Sequence, residues 1–132
     1  MTRRDRRADV RYVIGFGAEV HTERGVIGAG TRDVSRGGCQ LASSRPIPEG
    51  VTVRIDLHLT VDGIQEPSVS HLSVMGRIQW TAESEDEAGV VYLSGVRFGT
   101  MKPAEAEWLE TTLKQHGAPA PVEDFEVDIN MD

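Results

Sequence analysis

Short runs in which apolar and polar residues alternate, each bounded by turn chemistry and followed by one stretch of helical spacing, predict an all-β (β-rich) domain. The expected form is a small six-stranded antiparallel Greek-key β-barrel with a C-terminal α-helix. The plainest run is residues 51–61, where Val51, Val53, Ile55, Leu57, Leu59 and Val61 alternate with Thr52, Arg54, Asp56, His58 and Thr60. One face of that strand is apolar and the other is wet. Asp62-Gly63 directly after it is a strong hairpin dipeptide.

Taken in order, Val10 to Val20 places Tyr12, Ile14, Phe16, Ala18 and Val20 at alternate positions and is expected as the first strand. His21 to Gly25 reads as a turn and Val26 to Thr31 as a second strand, whose glycines permit strong bending. Asp33-Val34-Ser35-Arg36-Gly37-Gly38 follows as a polar corner. There Asp and Ser oxygens can accept from nearby backbone N–H groups, and the paired glycines can take positive φ. Cys39-Gln40-Leu41 is a short third strand, residues 43–50 a loop of turn residues, and residues 51–61 the fourth strand. A fifth strand runs through Leu72, Val74, Gly76, Ile78 and Trp80; residues 81–87 read as an acidic, solvated loop, and Val90 to Phe98 as the last strand.

Helical spacing begins after Lys102. Pro103 suits a first turn, Glu105, Glu107 and Glu110 favour the N-terminal dipole end, and Ala106, Leu109 and Leu113 form an apolar stripe with Trp108 beside it. Gly117 can end the helix. Residues 1–116 thus form one expected domain: an arginine-rich flexible arm over 1–11, a barrel over 10–98 and a helix over 103–115. Residues 117–132 read as an acidic, flexible tail, with an added edge strand or a partner-binding segment as the alternatives.

A chain of 132 residues leaves no room for a second core, and its 39% hydrophobic and 27% charged residues are those of a globular protein. No apolar run approaches the ~20 residues of a membrane span, and no apolar segment follows the basic start as in a signal peptide, so a cytoplasmic location without membrane insertion is expected. The single cysteine, Cys39, excludes an internal disulfide and reads as a small buried strand residue. His21, His58, His71 and His116 lack metal-ligand spacing and read as surface residues; no metal site is expected. Trp80, Trp108 and Phe98 read as core, with a place beside a base as the alternative for Trp80. No nucleophile elbow, phosphate-cradling loop or catalytic carboxylate pair stands out, which points away from catalysis.

The formal charge of −7 conceals a segregation. Residues 1–11 carry Arg3, Arg4, Arg6, Arg7 and Arg11 against Asp5 and Asp9, whereas the last ten residues carry Glu123, Asp124, Glu126, Asp128 and Asp132 with no base. Such a balance disfavours DNA or RNA but admits a small anion that meets only the arginine end. At the corner, the oxygens of Asp33 and Ser35 can serve a plain turn, or face a guest that brings N–H donors, such as a purine edge.

In combination these residues resemble the PilZ domain family of bacterial signalling proteins. Arg3-Arg4-Asp5-Arg6-Arg7 is similar to the family's N-terminal RRxxR (RxxxR) motif, and Asp33, Ser35 and Gly38 fit its D/N-x-S-x-x-G, with Leu41 at the apolar position after it. Gly76-Arg77-Ile78-Gln79-Trp80 resembles its G-x-V-x-W strand, Gly95-Val96-Arg97-Phe98 its closing G-V-x-F, and Pro103 to Leu113 its helix. The resemblance spans residues 3 to about 113.

What the resemblance implies is binding of cyclic di-GMP, a bacterial second messenger, without chemistry on it and without a cofactor. By motif position Arg3, Arg4 and Arg7 would clamp phosphates and guanine edges, Asp33 and Ser35 would accept from guanine N–H groups, and Gly38 would keep the floor clear for a base. Binding would order the arm and pass the signal to a protein partner, as in control of motility, pili or exopolysaccharide. The competing expectation is a PilZ-like interaction adaptor that does not bind the messenger.

Overall fold

The computed structural model describes residues 10–61, 64–65 and 71–119. Its strands are β1 (Tyr12–Val13), β2 (Phe16–Thr22), β3 (Gly25–Ser35), β4 (Gly38–Ser43), β5 (Thr52–Val61), β6 (Ile64–Gln65), β7 (Leu72–Asp86), β8 (Gly89–Phe98) and β9 (Ala118–Pro119), with one helix, α1 (Pro103–His116), before the last. The six long strands run in the order β2-β5-β7-β8-β4-β3, and β3 returns to β2, which closes an antiparallel barrel. Closure pairs the long strands on both sides within the barrel body, while residues 80–86 of β7 pair with β8 alone and project beyond it.

Alternation decides the inside. Phe16, Ala18 and Val20 of β2, Val53, Ile55, Leu57 and Leu59 of β5, and Leu72, Val74 and Ile78 of β7 are all buried in one core. Leu109 and Leu113 of α1 join that core, and the Trp108 ring lies 6.2 Å from Phe16, centroid to centroid. Glu105 caps the helix start by accepting from the Lys102 backbone N–H at 2.9 Å.

Several elements differ from the sequence expectation for identifiable reasons. The first strand is split at Ile14-Gly15, because the Thr31 hydroxyl accepts from Phe16 N–H at 3.0 Å and donates to Ile14 C=O at 2.7 Å, which takes those backbone groups out of the ladder. β1 then continues along β3, with Tyr12 opposite Val34. Residues 81–86 are strand rather than loop: Thr81 to Asp86 pair with Ser94 to Gly89 in a long hairpin, leaving Glu87-Ala88 at its tip. Exposed Glu83 and Glu85 made that ribbon look like a solvated loop. The corner is tighter than expected, since Asp33, Val34 and Ser35 belong to β3 and only Arg36-Gly37 turn. Among the described residues the positive-φ glycines are Gly25, Gly50 and Gly89, not the pair in the corner.

The hairpin expected at Asp62-Gly63 lies outside the described residues, although Val61 and Ile64 on either side of it are paired. Past α1, Ala118–Pro119 is a short strand added against β1, the alternative to a loose tail; residues 120–132 lie outside the described residues.

Candidate functional site

Two single-residue bulges build one outer face of the barrel. Thr31 pairs with Leu41 and Asp33 with Gln40, so Arg32 is an extra residue in β3; Ile78 pairs with Val96 and Trp80 with Gly95, so Gln79 is extra in β7. An extra residue exchanges the two faces of a strand beyond it. The first bulge puts Asp33 and Ser35 on the outer face of the sheet, Ser35 covered there, while Val34 enters the core, and the second turns Trp80 outward after buried Ile78.

Cross-strand partners share a face, so pairing defines two outer rows. Trp80, Gly95, Gln40 and Asp33 form one across β7, β8, β4 and β3, and Arg77, Arg97, Gly38 and Ser35 form the next. Three strand spacings of ~4.8 Å separate the ends of a row by about 14 Å.

At the Asp33 end, Arg11 donates from its guanidinium to the Asp33 carboxylate. Tyr12 pairs with Val34, which anchors the residue before it beside the corner. Ser35 is buried; its Oγ accepts from Gly37 N–H at 3.3 Å and lies 3.4 Å from Gly38 C=O. Gly38 is extended backbone pressed against β8, where a Cβ would sit 2.1 Å from the Val96 carbonyl oxygen. Arg36 at the turn reaches Glu110 of α1 at 3.2 Å, tying the corner to the helix. Of the residues expected in the site, the structure brings Asp33, Ser35 and Gly38 together; Arg3, Arg4 and Arg7 lie outside the described residues.

At the other end, Trp80 is 40% exposed, contrary to its expected place in the core. Its indole lies across Gly95, where a Cβ would meet Nε1 at 2.1 Å. Gly95→Ala must therefore lift the ring. The expected outcome is a changed Trp80 emission in a Trp108→Phe background, with the fold kept because only a side chain has to move.

The family model for the PilZ domain matches residues 5–115. The chain belongs to the PilZ domain family. Among solved structures, the PilZ domain is similar to that of YcgR from Escherichia coli with c-di-GMP, at TM-score 0.69 and 13% identity, covering 85% of this chain and 92% of that one. It also resembles apo MrkH of K. pneumonia (TM-score 0.68, 16% identity, 88% of this chain and 52% of that one). A third is the Bacillus subtilis inhibitor of motility MotI/DgrA (TM-score 0.63, 14% identity, 87% and 53%). The chain spans about half the length of MrkH and MotI. At these identities the likeness is one of fold. No curated protein matches the chain in sequence.

Sequence reasoning passed over Arg11. The arginines recur at Arg3, Arg7 and Arg11, so an R-x-x-x-R spacing fits residues 7–11 as well as 3–7. The PilZ match includes the second pair and begins after Arg3 and Arg4. A strand starting at Tyr12 was the available clue, because the arginine next to a strand is the one the fold can hold in place.

Elsewhere on the PilZ barrel, Glu19, His21 and Asp56 each bring one ligand atom within 4.8 Å of the others. A divalent ion would meet a cation already there: Arg54 lies 3.2 Å from His21 Nε2 and 3.5 Å from Asp56 Oδ1. Asp56 also accepts from Ser73 at 2.5 Å and lies 2.9 Å from His21 Nε2, so the cluster works as a charge network joining β2, β5 and β7. Burial raises the Asp56 pKa, but the Ser73 and His21 hydrogen bonds and the charges of Arg54 and His21 outweigh it and hold the carboxyl below its ordinary value.

A depressed folded-state pKa gives stability that is present above the unfolded value near 4 and lost as pH falls through the folded one. Thermal midpoints should therefore separate wild type from Asp56→Asn at pH 6 and converge toward pH 3. Cys39 is buried, and burial pushes its thiol pKa far up, with Asp33 adding to the shift; it is a core residue without thiolate character.

Proposed function

We propose that this PilZ domain is a receptor for cyclic di-GMP that binds the dinucleotide on the two-row outer face and signals by contact with a protein partner. The observation that carries the reading is the face itself. An anchored Arg11–Asp33 pair stands at one end and an exposed indole at the other, with Gly95 and Gly38 leaving the surface low between them. Each part has a chemical counterpart in the ligand. A guanine can stack on the indole, its N–H groups can donate to the Asp33 carboxylate, and guanidinium groups can fork onto O6 and N7 or pair with phosphates. Asp33 has lone pairs for a base as well as for Arg11.

Arg77 and Arg97 are exposed in the second row and add positive charge. Arg7 and Arg11 take the R-x-x-x-R role, with Arg3 and Arg4 supplying further phosphate contacts from the arm. The domain does no chemistry on the messenger. Its partner belongs to a process such as motility, which MotI among the similar structures is named for inhibiting.

Calorimetric titration with cyclic di-GMP, with GTP as control, tests this. Micromolar or tighter binding of the cyclic dinucleotide alone is expected; no binding at high concentration would refute it. The second reading, an interaction adaptor without the messenger, draws on Ser35 and Gly38, whose turn bond and close packing account for both residues without a ligand.

A further inference from the structure

We propose that the projecting end of the β7–β8 hairpin is a docking edge for a protein partner, and that it takes an extended segment carrying Lys or Arg at alternate positions as one more strand. The proposal rests on the reading that this domain signals by contact with a partner, and it names the surface and the chemistry of that contact.

The edge of β7 is covered as far as Thr81 and open beyond it. β5 reaches β7 only up to the Thr52–Arg77 pair. The loop before β5 then takes over: Ile78 N–H donates to Val51 C=O at 2.9 Å, Gly50 N–H donates to Ile78 C=O at 2.7 Å, and Thr81 N–H donates to the Glu49 carboxylate at 2.8 Å. Past Thr81, β7 pairs with β8 alone among the described residues. In an antiparallel pair, residues alternate between bonding the partner strand and pointing their N–H and C=O away from it. Thr81 N–H points away from β8, so those of Glu83 and Glu85 do too, whereas Ala82 and Ser84 bond Leu93 and Val91. The edge thus presents two N–H donors and two C=O acceptors at strand spacing, a template for strand addition.

Side chains decide which strand fits. Glu83 and Glu85 are exposed on one face of the ribbon, and Ala82 and Ser84 lie on the other beside Leu93 and Val91. An added strand therefore meets a carboxylate at every second position on one face and small or apolar side chains on the other, which suits alternating basic and apolar residues. The same pattern disfavours a second copy. Antiparallel pairing of this edge with itself about Ser84 sets Glu83 against Glu85 twice, and like charges directly opposite destabilise a pair. Charge on an edge strand guards against self-association in this way, and a basic strand meets no such barrier.

Two capped heptapeptides of one composition test the proposal, Thr-Lys-Val-Lys-Val-Lys-Thr and its block isomer Lys-Lys-Lys-Val-Val-Thr-Thr, with hydrogen exchange of the protein's amides as the readout. In the protein alone, the amides of Glu83 and Glu85 should exchange fast and those of Ala82 and Ser84 slowly. Saturating alternating peptide should slow Glu83 and Glu85 by about tenfold or more, and the isomer should leave them fast. Glu83→Gln combined with Glu85→Gln should weaken the alternating peptide roughly tenfold. Glu83→Pro removes an outward donor without touching the β7–β8 ladder, a change edge strands tolerate, and should bind several-fold more weakly than Glu83→Gln. No protection at millimolar alternating peptide, equal protection by the isomer, or equal binding by Glu83→Pro and Glu83→Gln would overturn the proposal. Protection that rises with protein concentration in the absence of peptide would assign the edge to a second copy and overturn it as well. No arm of the test contains cyclic di-GMP, so its failure is distinct from a failure of the receptor reading, which the calorimetric titration decides.

Discussion

Gly38→Ala is expected to destabilise the barrel by about 3 kcal/mol or more, the upper end for forcing extra volume into a packed site. The new Cβ would lie 2.1 Å from the Val96 carbonyl oxygen and 3.4 Å from Arg97 Cα. Those atoms are backbone of the neighbouring strand, so no rotamer change relieves the clash; β4 and β8 must separate where Gly38 pairs with Arg97. For a chain of this size the thermal midpoint should fall by roughly 10 °C, measured by circular dichroism. A midpoint within a degree or two of wild type would contradict the packing. Lost ligand binding in a Gly38 variant would therefore report on the barrel before it reported on a base, and the motif glycine is a poor probe of the site.

Arg11→Ala and Asp33→Ala should behave in the opposite way, with a large effect on affinity and a small one on stability. The pair is partly open to solvent, with side chains 36% and 25% exposed, and ion pairs in such places contribute on the order of 0–1 kcal/mol to folding. Ligand binding would exclude that water. Truncating one member of a desolvated, hydrogen-bonded charge pair costs about 2 kcal/mol or more, roughly thirtyfold in the dissociation constant. Titrations of the two single variants and the double variant should show coupling, because either truncation leaves its partner misplaced. Binding unchanged by both would remove Asp33 and Arg11 from the site.

The barrel was legible because alternation carries most of it: Ile55, Leu57 and Leu59, or Phe16, Ala18 and Val20, are buried where period two puts them. The site was less legible because it is made where that period breaks. Nothing in Thr31-Arg32-Asp33 or Ile78-Gln79-Trp80 marks the middle residue as extra. Without the bulge Trp80 stays on the core side with Ile78, which is where alternation placed it. Asp33 and Ser35 are proposed from side-chain chemistry instead, which does not depend on strand parity. The hairpin of residues 81–94 was missed for a third reason, since charged, exposed strand residues resemble a loop until their cross-strand partners are known. Arg11 was obscured by the run of arginines before it, whose spacing admits two registers.

Backbone amide shifts followed through a titration with cyclic di-GMP locate the ligand on the barrel. The largest changes are expected on Arg11, Asp33, Ser35, Gln40, Trp80, Gly95 and Arg97, together with the Trp80 indole N–H, while Glu19, His21 and Asp56 elsewhere on the barrel stay still. Changes centred on those last three residues, or none at saturating ligand, would contradict this site.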